Sequence, residues 1–319
     1  MNPKILEKDE SDREVQLLLT SADTVFHEIR NLNFCVLKPL LLEKLNFIDM
    51  TYKERDQQRT IDELTKYMKR FKQAHKEAAS VQNHLNLAIY ITSETTKNVF
   101  FNQTLDVEHA IIMGETDQST FDYIERLIGE MEPLTTVLRL LCLLSVTQSG
   151  IKGKIFDFFR REIVQTYGYQ HLLTLYNLEK TGLLRRQEGK SSWNQLKQTF
   201  RLIYEDVNQR DPNDIAYAYA GYAPLSLRLI ETLYKTGWRS PAVAALPGEY
   251  YSSSYPVDDV EREGRKPIVM LFFVGGVTLG EVAAVRYLNN VEGASREFVV
   301  ASTHIINSAT FLKALMTGS

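Results

Sequence analysis

Apolar residues return every three or four positions along most of this chain, the interval that builds one face of an α-helix. Val25, Phe26 and Ile29 do so just after SAD (21–23), and a serine N-cap at Ser21 predicts a short helix there. Residues 34–53 keep the helical period, with Pro39 near the start. The wholly polar YKERDQQR (52–59) is a break, and from Thr60 one long helical pattern runs to Ile91. Within it Ile61, Leu64, Met68, Phe71 and His75 step by three or four, and Thr60 with Glu63 fits a capping box. The two segments read as an antiparallel helical arm with a polar, basic-leaning tip.

Shorter helices are expected over 106–113, closed by Gly114, and over 120–130, ahead of Pro133. Residues 134–150 are apolar nearly all round, which predicts a buried central helix. Residues 152–168 and 169–182 are amphipathic, each ending in a glycine suited to a left-handed C-cap. RRQEGKSSWNQ is a polar loop, and 196–206 is helical again. The Tyr-Ala alternation of IAYAYAG has the period of a strand, after which Pro224 opens a helix running to Gly237. Residues 247–266 are a long surface loop or linker.

The last segment changes grammar. IVMLFFVGG reads as a buried strand, LGEVAAVRYLNN as a helix, REFVVASTHII as a strand and SATFLKALM as a helix, giving β-α-β-α. Gly275, Gly276 and Gly280 form G-G-x-x-x-G rather than the G-x-G-x-x-G of a dinucleotide fingerprint, so the reading is a tightly packed βα turn. Two parallel strands do not make a stable sheet alone, and the helical residues before them supply no others. The expectation is an incomplete parallel α/β domain, completed by sequence preceding this chain.

Composition narrows the function. The chain has 319 residues, 44% hydrophobic, with a formal net charge of −3. That balance argues against a nucleic-acid binder, whose footprint is basic. Cys35 and Cys142 lie in apolar helical contexts, which implies no disulfide framework and a reducing compartment. The charged N-terminus has no apolar core, and no apolar run reaches the roughly 20 residues of a membrane span. A soluble intracellular protein is expected, in which the sequon at Asn102 carries no meaning.

Candidate chemistry is sparse. Gly189-Lys190-Ser191 lacks the leading glycine and the strand of a P-loop, because Leu184 stands where that glycine belongs. The six histidines form no ligand set, and no nucleophile elbow or kinase signature is present. No metal, cofactor or catalytic residue is expected, and the chain is read as not an enzyme. HLLTLYNLEKTGLLRRQ resembles the second helix and strand of a winged helix. Its Gln170, Asn177 and Lys180 are opposed by Glu179, so protein packing is preferred to DNA reading. A winged-helix nucleic-acid binder and an α/β nucleotide-binding enzyme stay as alternatives. The arm tip carries Lys44, Phe47, Tyr52, Lys53, Arg55 and Arg59, a set suited either to docking acidic amphipathic helices or simply to solvation.

Several stretches taken in order resemble one family: SADTVFHEIRNLNF, LRLLCLLSVTQSGIKGK, RREIVQTYGYQHLLTLYNLEKTGLL, DVNQRDPNDIAYAYAGYAPLSLRL, and FFVGGVTLGEVAAVRYL with FVVASTHIIN. The set is similar to the syntaxin-binding Sec/Munc (SM) family, in its vacuolar-sorting branch. The resemblance implies an arch-shaped protein, mainly α with a C-terminal β-α-β-α piece. Residues 1–20 would be a linker, 21–91 the helical arm of the third domain, 92–262 the rest of that domain, and 263–319 the returning part of the second domain. It also implies a protein that binds SNARE helices and promotes their assembly, using no cofactor. The branch serves the HOPS and CORVET tethering complexes, on late endosome and lysosome membranes reached through partners. Arg160, Tyr169 and Leu172 would then dock a helical-solenoid class C subunit, being residue types enriched at interface hot spots.

Overall fold

A computed structural model describes residues 17–56, 60–235, 240–244, 246, 251, 253, 267–291 and 297–316. The chain divides into two compact units. Unit 1 comprises Met1–Asn102 with Asp206–Ala220, and unit 2 comprises Gln103–Glu205 with Gly221–Ser319.

In unit 1, α1 (Thr24–Ile29), α2 (Phe34–Lys53) and α3 (Ile61–Lys97) follow one another, with a short 3-10 helix (Glu54–Asp56) closing α2. Helices α2 and α3 are antiparallel: Lys44 reaches Glu77 at 3.5 Å, Tyr52 meets His75 at 2.9 Å, and Glu54 meets Arg70 at 3.0 Å. The expected capping box is present, with Thr60 Oγ1 accepting from the Glu63 amide and Glu63 accepting from the Thr60 amide. The core of the unit is Val25, Ile29, Leu41, Ile48, Ala74, Val81, Leu85 and Ala88.

Two expectations need correction here. The N-cap of α1 is Asp23, not Ser21, whose hydroxyl instead accepts from Arg30 at 2.6 Å. Asp23 prevails because its two oxygens serve two ends: Oδ1 caps the Val25 and Phe26 amides, and Oδ2 accepts from Ser80 and His84 of α3. The Tyr-Ala run is not a strand but a 3-10 helix (Ile215–Tyr219). Asp214 caps it, and Ala220 closes it at φ 51°, so five residues have no room for a ladder. Its Tyr217 is buried and donates its hydroxyl to the Asn31 carbonyl at 2.9 Å.

Unit 2 is built on α6 (Leu134–Thr147), where Val137, Leu138, Leu140, Leu141 and Leu144 are buried, as the all-round apolar pattern predicts. Around it stand α4 (Val99–Met113), α5 (Gln118–Gly129), α7 (Gly153–Tyr167), α8 (His171–Lys180) and α9 (Trp193–Thr199). The last carbonyls of α4 are satisfied by α9, since Trp193 Nε1 donates to the Ile112 carbonyl at 2.8 Å and Lys197 Nζ to that of Met113 at 2.7 Å.

The helix expected over 196–206 stops at Thr199. Arg201 takes φ 48°, and its carbonyl accepts from Nε of the buried Arg228 on α10 (Leu225–Lys235) at 3.0 Å. Ile203 then bridges to Tyr222, so a contact from elsewhere in the chain overrides the local helical pattern.

After α11 (Pro241–Ala244), the parallel pair β1 (Ile268–Phe273) and β2 (Glu297–Ser302) runs in register from Ile268 opposite Glu297 to Phe273 opposite Ser302. Helix α12 (Leu279–Val291) covers one face through Ala283, Ala284, Val285 and Leu288. Its Asn289 amide both donates to the Phe298 carbonyl at 2.8 Å and accepts from the Phe298 amide at 2.7 Å. The run expected to be a buried strand is only half covered: Ile268, Met270 and Phe272 of β1 and Val299 of β2 are exposed. Terminal helix α13 (Ser308–Leu315) returns to α6 and α8, where Asn177 donates to the Leu315 carbonyl at 3.1 Å. The linker expected over 247–266 lies almost wholly outside the described residues.

Candidate partner-docking surfaces

The turn from α7 into α8 sets the first surface. Gly168 closes α7 at φ 105° and ψ 158°, a conformation open to glycine but outside the left-handed helical cap expected there. Three residues separate α7 from α8, and Tyr169 among them is 81% exposed. Leu172, Leu173 and Tyr176 follow on the outward face of α8, all exposed, while Thr174, Leu175 and Leu178 face inward. Positions 172, 173 and 176 share one face of α8, and Tyr169, two residues ahead of the helix, stands exposed beside its start.

Arg160, on α7, is half-exposed and lies 3.8 Å from Glu179, which stands one turn beyond Tyr176 on α8. Arg160 therefore sits near the far end of the same face. Tyr169 and Leu172 are legible from the sequence as candidates. Leu173 and Tyr176 escape that reading, although the i, i+1, i+4 spacing from Leu172 identifies them.

The arm candidates do not share one face. Lys44, with a side chain 21% exposed, is clamped between Glu28 at 2.7 Å and Glu77 at 3.5 Å. Burial works against its charge, but the two carboxylates outweigh it and hold the ammonium pKa above the ordinary lysine value. Tyr52 packs edge-on against Phe71 at 5.2 Å. Phe47, five residues earlier, lies on a different flank of α2 and is exposed. Lys53 pairs with Asp49 at 2.6 Å, Arg55 is exposed, and Arg59 lies outside the described residues. The line Ile61, Leu64, Met68 has the period of a helical stripe, yet all three are exposed. The core face of α3 is the adjacent one, carrying Tyr67, Ala74, Val81, Leu85 and Ala88.

Toward the other end of the arm, Phe34, Leu85, Ala88 and Ile89 floor a half-open groove of about 390 Å³, with Lys38 and Lys97 along it. Gln82 and Asn86, bonded to each other at 2.9 Å, interrupt the apolar line between this groove and the arm tip.

The motifs set aside in the sequence have structural occupants. The N-terminus of α12, where a phosphate would sit in a dinucleotide site, is held by Glu281: its carboxylate accepts from the Thr278 amide at 2.9 Å and from Ser226 at 2.6 Å. Ser191, of the GKS run, donates to the Thr147 carbonyl at 2.5 Å. The exposed face of α8 is apolar and aromatic, unlike a DNA-reading helix. Among the described residues no three metal-ligating side chains converge, and no helix is long and apolar enough to cross a membrane.

Two helical units, with a two-stranded parallel sheet in one and exposed apolar faces in both, make up a mainly helical scaffold. The Sec1 family model matches residues 2–314, and the chain belongs to that family. It is 39% identical over 97% of its length to vacuolar protein sorting-associated protein 33A of Rattus norvegicus, covering 53% of that protein. It is 38% identical over 99% of its length to the vacuolar protein-sorting-associated protein 33 homolog of Arabidopsis thaliana, covering 55%. It thus spans about half the length of these relatives. The fold is similar, at a TM-score of 0.56 and 15% identity, to the crystal structure of the Unc18–syntaxin 1 complex from Monosiga brevicollis, over 96% of this chain and 52% of that one.

Proposed function

We propose that this chain serves vesicle-mediated transport as a non-enzymatic Sec/Munc protein, binding SNARE helices through its arm and a tethering-complex subunit through α8. The observation that carries the reading is the α8 face: Leu172, Leu173 and Tyr176, with Tyr169 beside the helix start, leave an apolar and aromatic surface open, with Arg160 beside Glu179 near its end. Clustered aromatic, aliphatic and arginine side chains are what protein interfaces concentrate at their centres. The partner is a helical-solenoid class C subunit of HOPS or CORVET, which would bring the chain to late endosome and lysosome membranes.

For SNAREs, the Phe34–Ile89 groove with its two lysines suits an acidic amphipathic helix, and Phe47, Tyr52, Lys53, Arg55 and Arg59 extend the contact toward the tip. Holding helices in register would favour their zippering by lowering the ordering cost. The domain reading, with 21–91 as the arm, 92–262 as the rest of the third domain and 263–319 as a returning piece of the second, stays part of this proposal. The uncovered Ile268, Met270 and Phe272 face supports it, because such a face is buried when further strands and helices complete the sheet.

Co-purification with the helical C-terminal region of a class C subunit tests the proposal. A stoichiometric complex that Tyr169→Asp abolishes, without a change in melting temperature, supports it. A folded chain that ignores the subunit overturns the docking assignment.

A further inference from the structure

The tip of the arm carries a feature that the partner reading leaves unused. Ile61 is 83% exposed and Leu64 and Met68 are about half exposed, on one line of α3 that turns away from the core. Lys72, one turn beyond Met68, continues the same flank and Lys69 borders it, both exposed. The acidic groups nearby are largely engaged: Glu63 in the capping box, Asp49 with Lys53, Glu54 with Arg70. Asp62 lies one residue on from Ile61, about 100° round the helix and on the flank of Lys69. From His84, where α1 is anchored, twenty residues of helix carry the ridge ~30 Å outward.

We propose that the ridge Ile61–Leu64–Met68, with Lys69 and Lys72 beside it, docks the end of this hairpin onto an anionic lipid surface. Shape decides between lipid and a partner helix. A helix seats in a groove, and behind this flank of α3, away from the α2 residues assigned to SNARE contact, the space between the two helices is filled by rings. Tyr52 lies edge-on to Phe71 at 5.2 Å, Phe71 stacks on His75 at 5.9 Å, and Tyr52 is hydrogen-bonded to His75. What remains is convex, with apolar side chains standing proud and lysines beside them. A deformable interface accepts that form: the apolar tips enter the headgroup–acyl boundary and the ammonium groups meet lipid phosphates and carboxylates. The contact is additional to any made through partners and does not depend on which SNARE is bound.

Flotation of the full chain with vesicles tests this, using phosphatidylcholine alone against phosphatidylserine-rich vesicles. The expected result is flotation with the anionic vesicles, weakened by salt and by about fivefold for each of Lys69 and Lys72 replaced by Ala. Leu64→Glu with Met68→Glu should abolish it. Should that pair unfold the arm, Leu64→Trp gives a direct reading, with a fluorescence blue shift expected on adding anionic vesicles. Absence of flotation by the wild type, or unchanged flotation of a folded Glu variant, overturns the proposal. So does a blue shift of the Leu64→Trp variant elicited by an acidic amphipathic peptide but not by vesicles, which would make the ridge a protein-docking site.

Discussion

Asp23 Oδ2 and His84 Nε2 lie 3.2 Å apart, a contact between residues separated by 61 positions that ties α1 to the middle of α3. The Phe26 ring stacks on the same histidine at 6.0 Å, and Ser80 donates to the same carboxylate oxygen at 2.6 Å. A single side chain thus caps one helix and fastens it to another.

Partial burial pushes the Asp23 carboxyl up, but hydrogen bonds from Ser80, the Phe26 amide, His84 and the Val25 amide outweigh it and hold the pKa below the usual carboxylate value. Its stabilising contribution is therefore present above the unfolded value of about 3.9 and is lost as pH falls through the lower folded value. Asp23→Asn should lower stability at neutral pH by about 1–2 kcal/mol. Urea titrations across the acid range should show the gap to wild type closing below about pH 4; a gap independent of pH would refute the assignment.

Gly150 stands at φ 113°, and a Cβ there would lie 2.5 Å from the Arg186 carbonyl carbon and oxygen and from the Gln187 nitrogen. Backbone cannot swing aside as a side chain can, so Gly150→Ala should destabilise unit 2 by roughly 2–4 kcal/mol. Gly129→Ala is the control: nothing lies within 4 Å of its Cβ, and it is helical, so a change between neutral and about 1 kcal/mol of stabilisation is expected. The melting temperature should fall for Gly150→Ala and hold or rise for Gly129→Ala.

Arg228 is buried, donating from Nε to the Arg201 carbonyl and from Nη1 to Glu231 at 2.6 Å. Arg228→Met should cost about 2–4 kcal/mol, because it takes the guanidinium away from a half-buried carboxylate and releases the carbonyl of a positive-φ residue. Lysine at this position lacks the fork needed to reach both acceptors, so Arg228→Lys should recover only part of the loss. Equal stability of Lys and Arg forms in denaturant titration would count against this account.

Burial alone pushes the Cys142 thiol up to about 12, whereas Cys35 is exposed. A thiol reagent should therefore label one cysteine per native chain within minutes, and the second only on unfolding. Rapid labelling of both would show that α6 is not the closed core described.

On the α8 face, Leu173→Asp and Tyr176→Asp should weaken class C subunit binding by about tenfold or more, as Tyr169→Asp should, while leaving the melting temperature unchanged. Calorimetric titration of each variant provides the check. Unaltered affinity for all three would remove that face from the interface.

Periodicity by itself determined the helices that dominate this protein, since a 3–4 apolar rhythm needs no knowledge of what lies opposite. Thr60 with Glu63 marked the start of α3, and the all-round apolar run 134–150 marked the buried α6, because capping and burial are local in cause. The β-α-β-α ending was equally legible, as was the family, through stretches such as YAGYAPLS and FFVGGVT.

What the tertiary structure alone decided were faces and endings. The line Ile61–Leu64–Met68 is as regular as a core stripe, but the core of the arm took the neighbouring line through Tyr67, Ala74 and Val81, because that is where α1 and α2 present Val25, Leu41 and Ile48. Arg201 left the helix because Arg228, distant in sequence, holds its carbonyl. Lys44 has the charge and position of a docking residue but is consumed by Glu28 and Glu77. In each case the deciding partner stands far along the chain, and a one-dimensional pattern fixes how a segment folds without fixing which of its sides another segment will cover.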